Sequence, residues 1–138
     1  MIIRKYEEIK IGDAAKYKRT ITEDDIEKFA EVSGDYNPVH MNEEFAKNTL
    51  FEGRIAHGML SASFISTVLA QELPGPGSIY LSQNLIFKKP VRIGDTIITR
   101  VQVFQKLDDK KRIRLKTTCT NQDGTTVIEG EALVMVPT

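Results

Sequence analysis

The sequence predicts an α+β fold, an antiparallel sheet with its helices gathered on one face. Three observations carry this expectation. The segments run as one strand, then a group of helices, then four strands joined mostly by tight turns, an order that suits an antiparallel sheet. The segment from His57 to about Gln71 is apolar round most of its circumference, the pattern of a buried helix. The second half of the chain alternates with period two, the pattern of half-buried strands. With 138 residues the chain reads as one domain over positions 1–138, with a sizeable core.

Gly12-Asp13 forms a turn, and Ala14 to Ile21 alternates, with Ala15, Tyr17, Arg19 and Ile21 on one side. Lysines at 16 and 18 line the other side, which places this strand near a sheet edge. Thr22 caps the first helix and Asp25 completes its capping box, while Glu23 and Asp24 suit the positive end of the dipole. Ile26, Phe29 and Ala30 form its apolar face, and Ser33-Gly34 ends it. Asp35 to Val39 reads as loop, because Pro38 lacks an amide hydrogen and pushes Asn37 out of helical geometry. Asn42 caps a second short helix, Glu43 to Asn48, with Phe45 and Ala46 inward. After the loop at Phe51-Glu-Gly-Arg comes the apolar helix, stopped by Leu73-Pro-Gly-Pro-Gly.

Four strands follow. Ser78 to Phe87 places Ile79, Leu81, Leu85 and Phe87 on one face, and Thr96 to Leu107 is a second long strand. Asp108-Asp-Lys turns the chain into Arg112 to Thr120, with Ile113, Leu115, Thr117 and Cys119 inward. Asn121-Gln-Asp-Gly is a hairpin turn. Thr125 to Val136 closes the sheet, with Ile128, Ala132, Val134 and Val136 on one face. The exposed edges of such a sheet favour pairing with a second copy.

Composition narrows the function. Nineteen basic residues balance nineteen acidic ones, with no long basic run, which argues against nucleic acid as a partner. A 41% hydrophobic and 28% charged composition is that of an ordered soluble protein. The single cysteine, Cys119, excludes an intrachain disulfide and a multi-cysteine zinc site, and its strand position marks it as a small buried hydrophobe. The start has no apolar signal core, and the most apolar segment, Met59 to Ala70, is too short to span a bilayer. A cytoplasmic protein without membrane association is expected.

The chemistry concentrates between Phe29 and Met59, which holds both histidines of the chain, His40 and His57. Asp35 stands five positions before His40 in a segment broken by Gly34 and Pro38. With ordinary pKa values of about 3.9 and about 6.5, an Asp and a His in a mostly apolar pocket share and pass one proton near neutral pH. Asn37 is placed to orient ring or carboxylate through its amide. The plainer alternative makes Asp35 and Asn37 turn formers and His40 a partly buried polar residue. At His57-Gly58 a helix begins, its free amides suit a carbonyl gaining negative charge, and Gly58 leaves the approach open. A plainer role for Gly58 is tight packing of the helix start, and for His57 a structural one. The spacing of His40, His57 and the carboxylates matches no metal-ligand pattern, and there is no Gly-rich phosphate loop and no Gly-x-Ser-x-Gly elbow. No metal or cofactor is expected. Arg54, Lys88, Lys89 and Arg92 read as solvated loop charges, each with a phosphate contact as its alternative.

The run Val32-Ser-Gly-Asp-Tyr-Asn-Pro-Val-His40, followed by Ala46, closely resembles the signature of the (R)-specific enoyl-CoA hydratases, the MaoC-like dehydratases. The similarity continues through Ile55-Ala-His-Gly-Met-Leu, Leu73 to Tyr80, Phe87-Lys-Lys-Pro-Val and Gly94-Asp95, and so covers most of the chain. It implies a hot-dog fold, a curved antiparallel sheet wrapped around a long central helix, working as a homodimer or larger homo-oligomer. It implies reversible hydration of a trans-2-enoyl-CoA to the (R)-3-hydroxyacyl-CoA. Position by position, it makes Asp35 and His40 the catalytic pair, Asn37 an orienting residue, the Gly58 amide a donor to the thioester oxygen, and Ser66 a residue near the acyl pocket. Rival readings are a dehydratase acting on acyl carrier protein or on a branched or dicarboxylic acyl-CoA, a hot-dog thioesterase, and a non-catalytic acyl-CoA binding module.

Overall fold

Residues 2–137 are described in a computed structural model. Five strands, β1 (Ala14–Thr20), β2 (Ile79–Phe87), β3 (Thr96–Leu107), β4 (Arg112–Thr120) and β5 (Thr126–Met135), form one antiparallel sheet in the order β1-β3-β4-β5-β2. The hairpins β3-β4 and β4-β5 are the tight connections foreseen. The link from β2 to β3 instead crosses the sheet, because β2 pairs with β5. Alternation holds through the central strands, where Ile97, Thr99, Val101 and Val103 of β3 and Ile113, Leu115, Thr117 and Cys119 of β4 are buried. Register shifts in β2 between Tyr80 and Ser82, and in β3 between Val103 and Gln105, add to the twist that wraps the sheet.

The two edges differ. β1 lies at one, as its lysines suggested. β2 forms the other, and there the residues read as one apolar face are not buried: Ile79, Leu81 and Phe87 are exposed and Leu85 only partly buried. The bulge after Tyr80 breaks the alternation, and among the described residues no strand pairs with the outer edge of β2.

Helix α1 (Glu23–Ser33) begins with the predicted capping box, in which Thr22 and Asp25 exchange hydrogen bonds of 3.1 Å, and ends at Gly34 with φ +80°. The expected loop from Asp35 to Val39 is shorter than anticipated. A helical turn, α2 (Pro38–Met41), starts at Pro38, whose fixed φ suits the first helical position, and Asn37 Oδ1 caps it by accepting from the Val39 amide at 3.2 Å. α3 (Glu43–Ala46) follows, capped by Asn42 and ending earlier than Asn48. Ala46 is buried as expected, but Phe45 is exposed, since four residues bury only one side.

The long helix α4 (Gly58–Gln71) packs on the sheet and buries Leu60, Ser61, Ala62, Phe64, Ile65, Val68 and Leu69. It is not buried all round. Met59, Ser63, Ser66 and Ala70, spaced by three or four residues, form an open stripe. None of the described helices is long and apolar enough to cross a membrane.

Candidate active site

The N-terminal end of α4 meets the loop before α2 at the floor of a cavity of about 500 Å³. Asp35, His40, His57, Gly58 and Ser61 line it, with Phe51, Phe87, Lys88 and Lys89 among its other walls. A carboxylate oxygen of Asp35 and a ring nitrogen of each histidine all lie within 4.8 Å of one another. Two hydrogen bonds of about 2.8 Å reach across such a gap, so one water molecule fits between the acid and an imidazole.

Each group is held by backbone. His40 is buried and its Nδ1 lies 2.8 Å from the Ile55 carbonyl, so Nδ1 carries the hydrogen and Nε2 keeps its lone pair. Arg54 fixes the same residue from the other side: its Nε donates to the His40 carbonyl at 2.7 Å and its Nη1 pairs with Glu23 at 2.7 Å. Burial pushes the His40 imidazole below its ordinary pKa of 6.5, and the neighbouring His57 acts in the same direction. The hydrogen bond to Ile55 and the Asp35 charge oppose this in part. A neutral imidazole with a free Nε2 lone pair can accept a proton.

Asp35 is exposed to the cavity side. Its Oδ1 accepts the backbone amide of Asn37 at 3.1 Å, and its carbonyl accepts from His57 Nε2 at 2.9 Å. Asn37 thus orients the carboxylate through its main chain. Its side chain caps α2 and does not line the cavity, contrary to the expected role for its amide. His57 is buried and its ring lies 4.0 Å from that of His40, tilted by 32°. The ligand atoms of Asp35, His40 and His57 are close enough together to reach one metal ion, while each histidine already engages one nitrogen with a carbonyl.

Gly58 opens α4, whose first amides have no intrahelical acceptor and no side-chain cap. Gly58 is exposed and lines the cavity, and its missing side chain also serves packing. A Cβ there would stand 2.8 Å from two carbons of the Phe87 ring, so the glycine makes room for Phe87. Ser66 is not brought to this cavity. It lines a second one, of about 510 Å³, with Phe29, Ser63 and Tyr80, and Met59 borders both.

The basic side chains are largely engaged within the protein. Besides Arg54, Arg92 donates to the Phe51 carbonyl and Lys88 pairs with Glu129 at 3.2 Å. Cys119 is fully buried beside Thr99 and the Ser61 carbonyl. Nothing in the residue pattern hints at the Arg54 clamp. Ser61 passed as one small residue among several, although its position one turn after His57 was legible.

The architecture is that of the hot-dog hydratases, a five-stranded antiparallel sheet packed on a helix. The chain belongs to the MaoC-like family: the model for the MaoC like domain matches residues 8–125. It is 54% identical to an (R)-specific enoyl-CoA hydratase of Rhodospirillum rubrum, covering 99% of this chain and 94% of the relative. It is 46% identical to a 3-hydroxybutyryl-CoA dehydratase of Methylorubrum extorquens, over 96% of this chain and 83% of the relative. The unliganded R-hydratase of Pseudomonas aeruginosa superposes with a TM-score of 0.91 at 47% identity, covering 96% of this chain and 85% of that one.

Proposed function

We propose that the protein is an (R)-specific enoyl-CoA hydratase, a hydro-lyase that adds water reversibly to a trans-2-enoyl-CoA. The observation that carries the reading is the convergence of the Asp35 carboxylate, the His40 imidazole and the N-terminus of α4 on one cavity. The 54% identity to a hydratase supports it.

In this reading Asp35 and His40 hold the attacking water. His40 takes a proton from it as its oxygen bonds to C3, and the pair returns that proton to C2 through Asp35. The pair ends with the charge it began with, and H and OH have been added across the double bond on one face. Negative charge that develops on the thioester oxygen is met by the Gly58 amide. Asn37 holds the carboxylate's orientation through its main-chain amide. The acyl chain passes Met59 toward the second cavity, where Ser66 lies.

The working unit in this reading is a homodimer of one-domain chains joined through β2. The nine residues of β2 carry no charge and leave Ile79, Tyr80, Leu81, Ile86 and Phe87 exposed, whereas the β1 edge is guarded by lysines. An uncharged, apolar, unpaired edge favours strand addition by a second copy. Light scattering coupled to size exclusion reads twice the mass of the 15.6 kDa chain. A strictly monomeric protein overturns this part.

The decisive test is the loss of absorbance as crotonyl-CoA is hydrated, with chiral analysis of the product. Asp35→Asn and His40→Ala each lower turnover by about a hundred- to ten-thousandfold while circular dichroism stays unchanged. Near-normal turnover in either variant, or an (S) product, refutes the assignment. The same assay on an enoyl carrier-protein thioester separates the two carriers.

A further inference from the structure

We propose that His57 and Ser61 form a water site on the floor of the cavity, and that this water makes His57 a positioning residue for Asp35. The inference rests on the hydratase reading for its effect on turnover, but the site itself is defined by geometry alone.

His57 Nε2 faces the Asp35 carbonyl oxygen at 2.9 Å. A carbonyl only accepts, so Nε2 carries the hydrogen. In the neutral ring Nδ1 is then an acceptor. It is buried and has no hydrogen-bond partner among the described residues. The hydroxyl of Ser61 is in the same position: the residue is 0% exposed and Oγ has no partner among the described residues. The two residues stand four apart, on one side of the start of α4, and both line the cavity.

A buried helical serine ordinarily returns its hydrogen to a carbonyl one turn back. Ser63 and Thr67 of this helix do so, donating to the carbonyls of Leu60 and Ser63. Ser61 does not, and its i−4 carbonyl, that of His57, accepts the Leu60 amide at 3.1 Å. Its hydroxyl is thus left buried and without a partner among the described residues. Two unpaired buried polar atoms on one helix face, one an acceptor and one a donor and acceptor, are the requirement for a bridging water. That water donates to His57 Nδ1 and holds the tautomer in which Nε2–H grips Asp35. Through the main chain of Asp35 it fixes the carboxylate against the His40 ring, on which His57 also lies.

The test uses Ser61→Ala in the full-length protein, with two readouts. The first is the nitrogen-15 spectrum of the His57 imidazole in unliganded protein. The expected result is an Nε2–H tautomer whose Nδ1 is hydrogen-bonded in the wild type and moves toward a bare acceptor in Ser61→Ala. A cationic ring, an Nδ1–H tautomer, or an Nδ1 resonance unchanged by the substitution overturns the proposal. The second is crotonyl-CoA hydration. Misplacing a reacting group lowers kcat by about ten- to a hundredfold while KM changes little. A Ser61→Ala protein that melts higher and turns over normally shows the hydroxyl to be a simple orphan and also overturns it. If the wild type fails to hydrate crotonyl-CoA, the functional reading falls, while the nitrogen spectrum still decides the water site.

Discussion

Gly58→Ala decides between two roles for the same glycine. The Cβ it adds would stand 2.8 Å from Phe87 Cδ1 and Cε1, against an ordinary carbon contact of about 3.5 Å or more. The ring must therefore shift by about 0.7 Å at that edge, while its Cζ, at 3.6 Å, already stands at contact distance. Overpacking costs about 1–3 kcal/mol, and Phe87, being 51% exposed, can swing outward, which places the cost near 1 kcal/mol. For 138 residues an entropy of about 2.1 cal/mol/K per residue converts that into a fall in Tm of about 3–4 °C. The displaced ring narrows the cavity at the helix start, so kcat/KM for crotonyl-CoA falls with it. The discriminating measurement is a double-mutant cycle with Phe87→Ala, read by thermal melting and by turnover. A coupling energy of about 1 kcal/mol, with turnover partly restored in the double variant, is the expected result. Additive stabilities would refute the packing role. Full activity in Gly58→Ala would refute the claim that the helix start must stay clear for substrate.

Four further outcomes follow from the structure. Because burial lowers the His40 pKa, the acidic limb of the kcat/KM profile lies below pH 6.5, and a limb above 6.5 contradicts His40 as the base. The linked stability has the same sign: below pH 6.5 the unfolded chain binds the proton first, so Tm falls as pH drops toward the folded pKa, and this dependence weakens in His40→Gln. Gly130→Ala places a Cβ 1.9 Å from the Asn84 carbonyl oxygen, across the β5-β2 ladder, where backbone cannot yield as a side chain does. It costs about 3 kcal/mol or more and lowers Tm by about 10 °C, and a Tm within 2 or ~3 °C of wild type refutes the contact. Arg54→Met removes the charged hydrogen bond to the His40 carbonyl and the partly exposed pair with Glu23, for a loss of about 2 kcal/mol and reduced kcat, measured by melting and by the hydration assay.

The sequence by itself determined what periodicity and local chemistry carry. The capping box at Thr22 and Asp25, the glycine stop at 34, the inward faces of β4 and β5 and the α+β class are all short-range consequences of residue type, and each was legible. The segment from Asp35 to His40 with the helix start at Gly58 marked the candidate site for the same reason, and its resemblance to the MaoC-like pattern agrees with the family match. Tertiary structure decided the rest. Pro38 opens a helical turn because Asn37 caps it, a choice the proline alone leaves open between loop and first helical position. The open stripe of α4 and the exposed face of β2 depend on what lies opposite, which no periodicity records. The grip of Arg54 on His40, the stacking of His57 against His40, and the approach of Phe87 to Gly58 join residues 14 to 29 positions apart, and only the packed chain sets such distances.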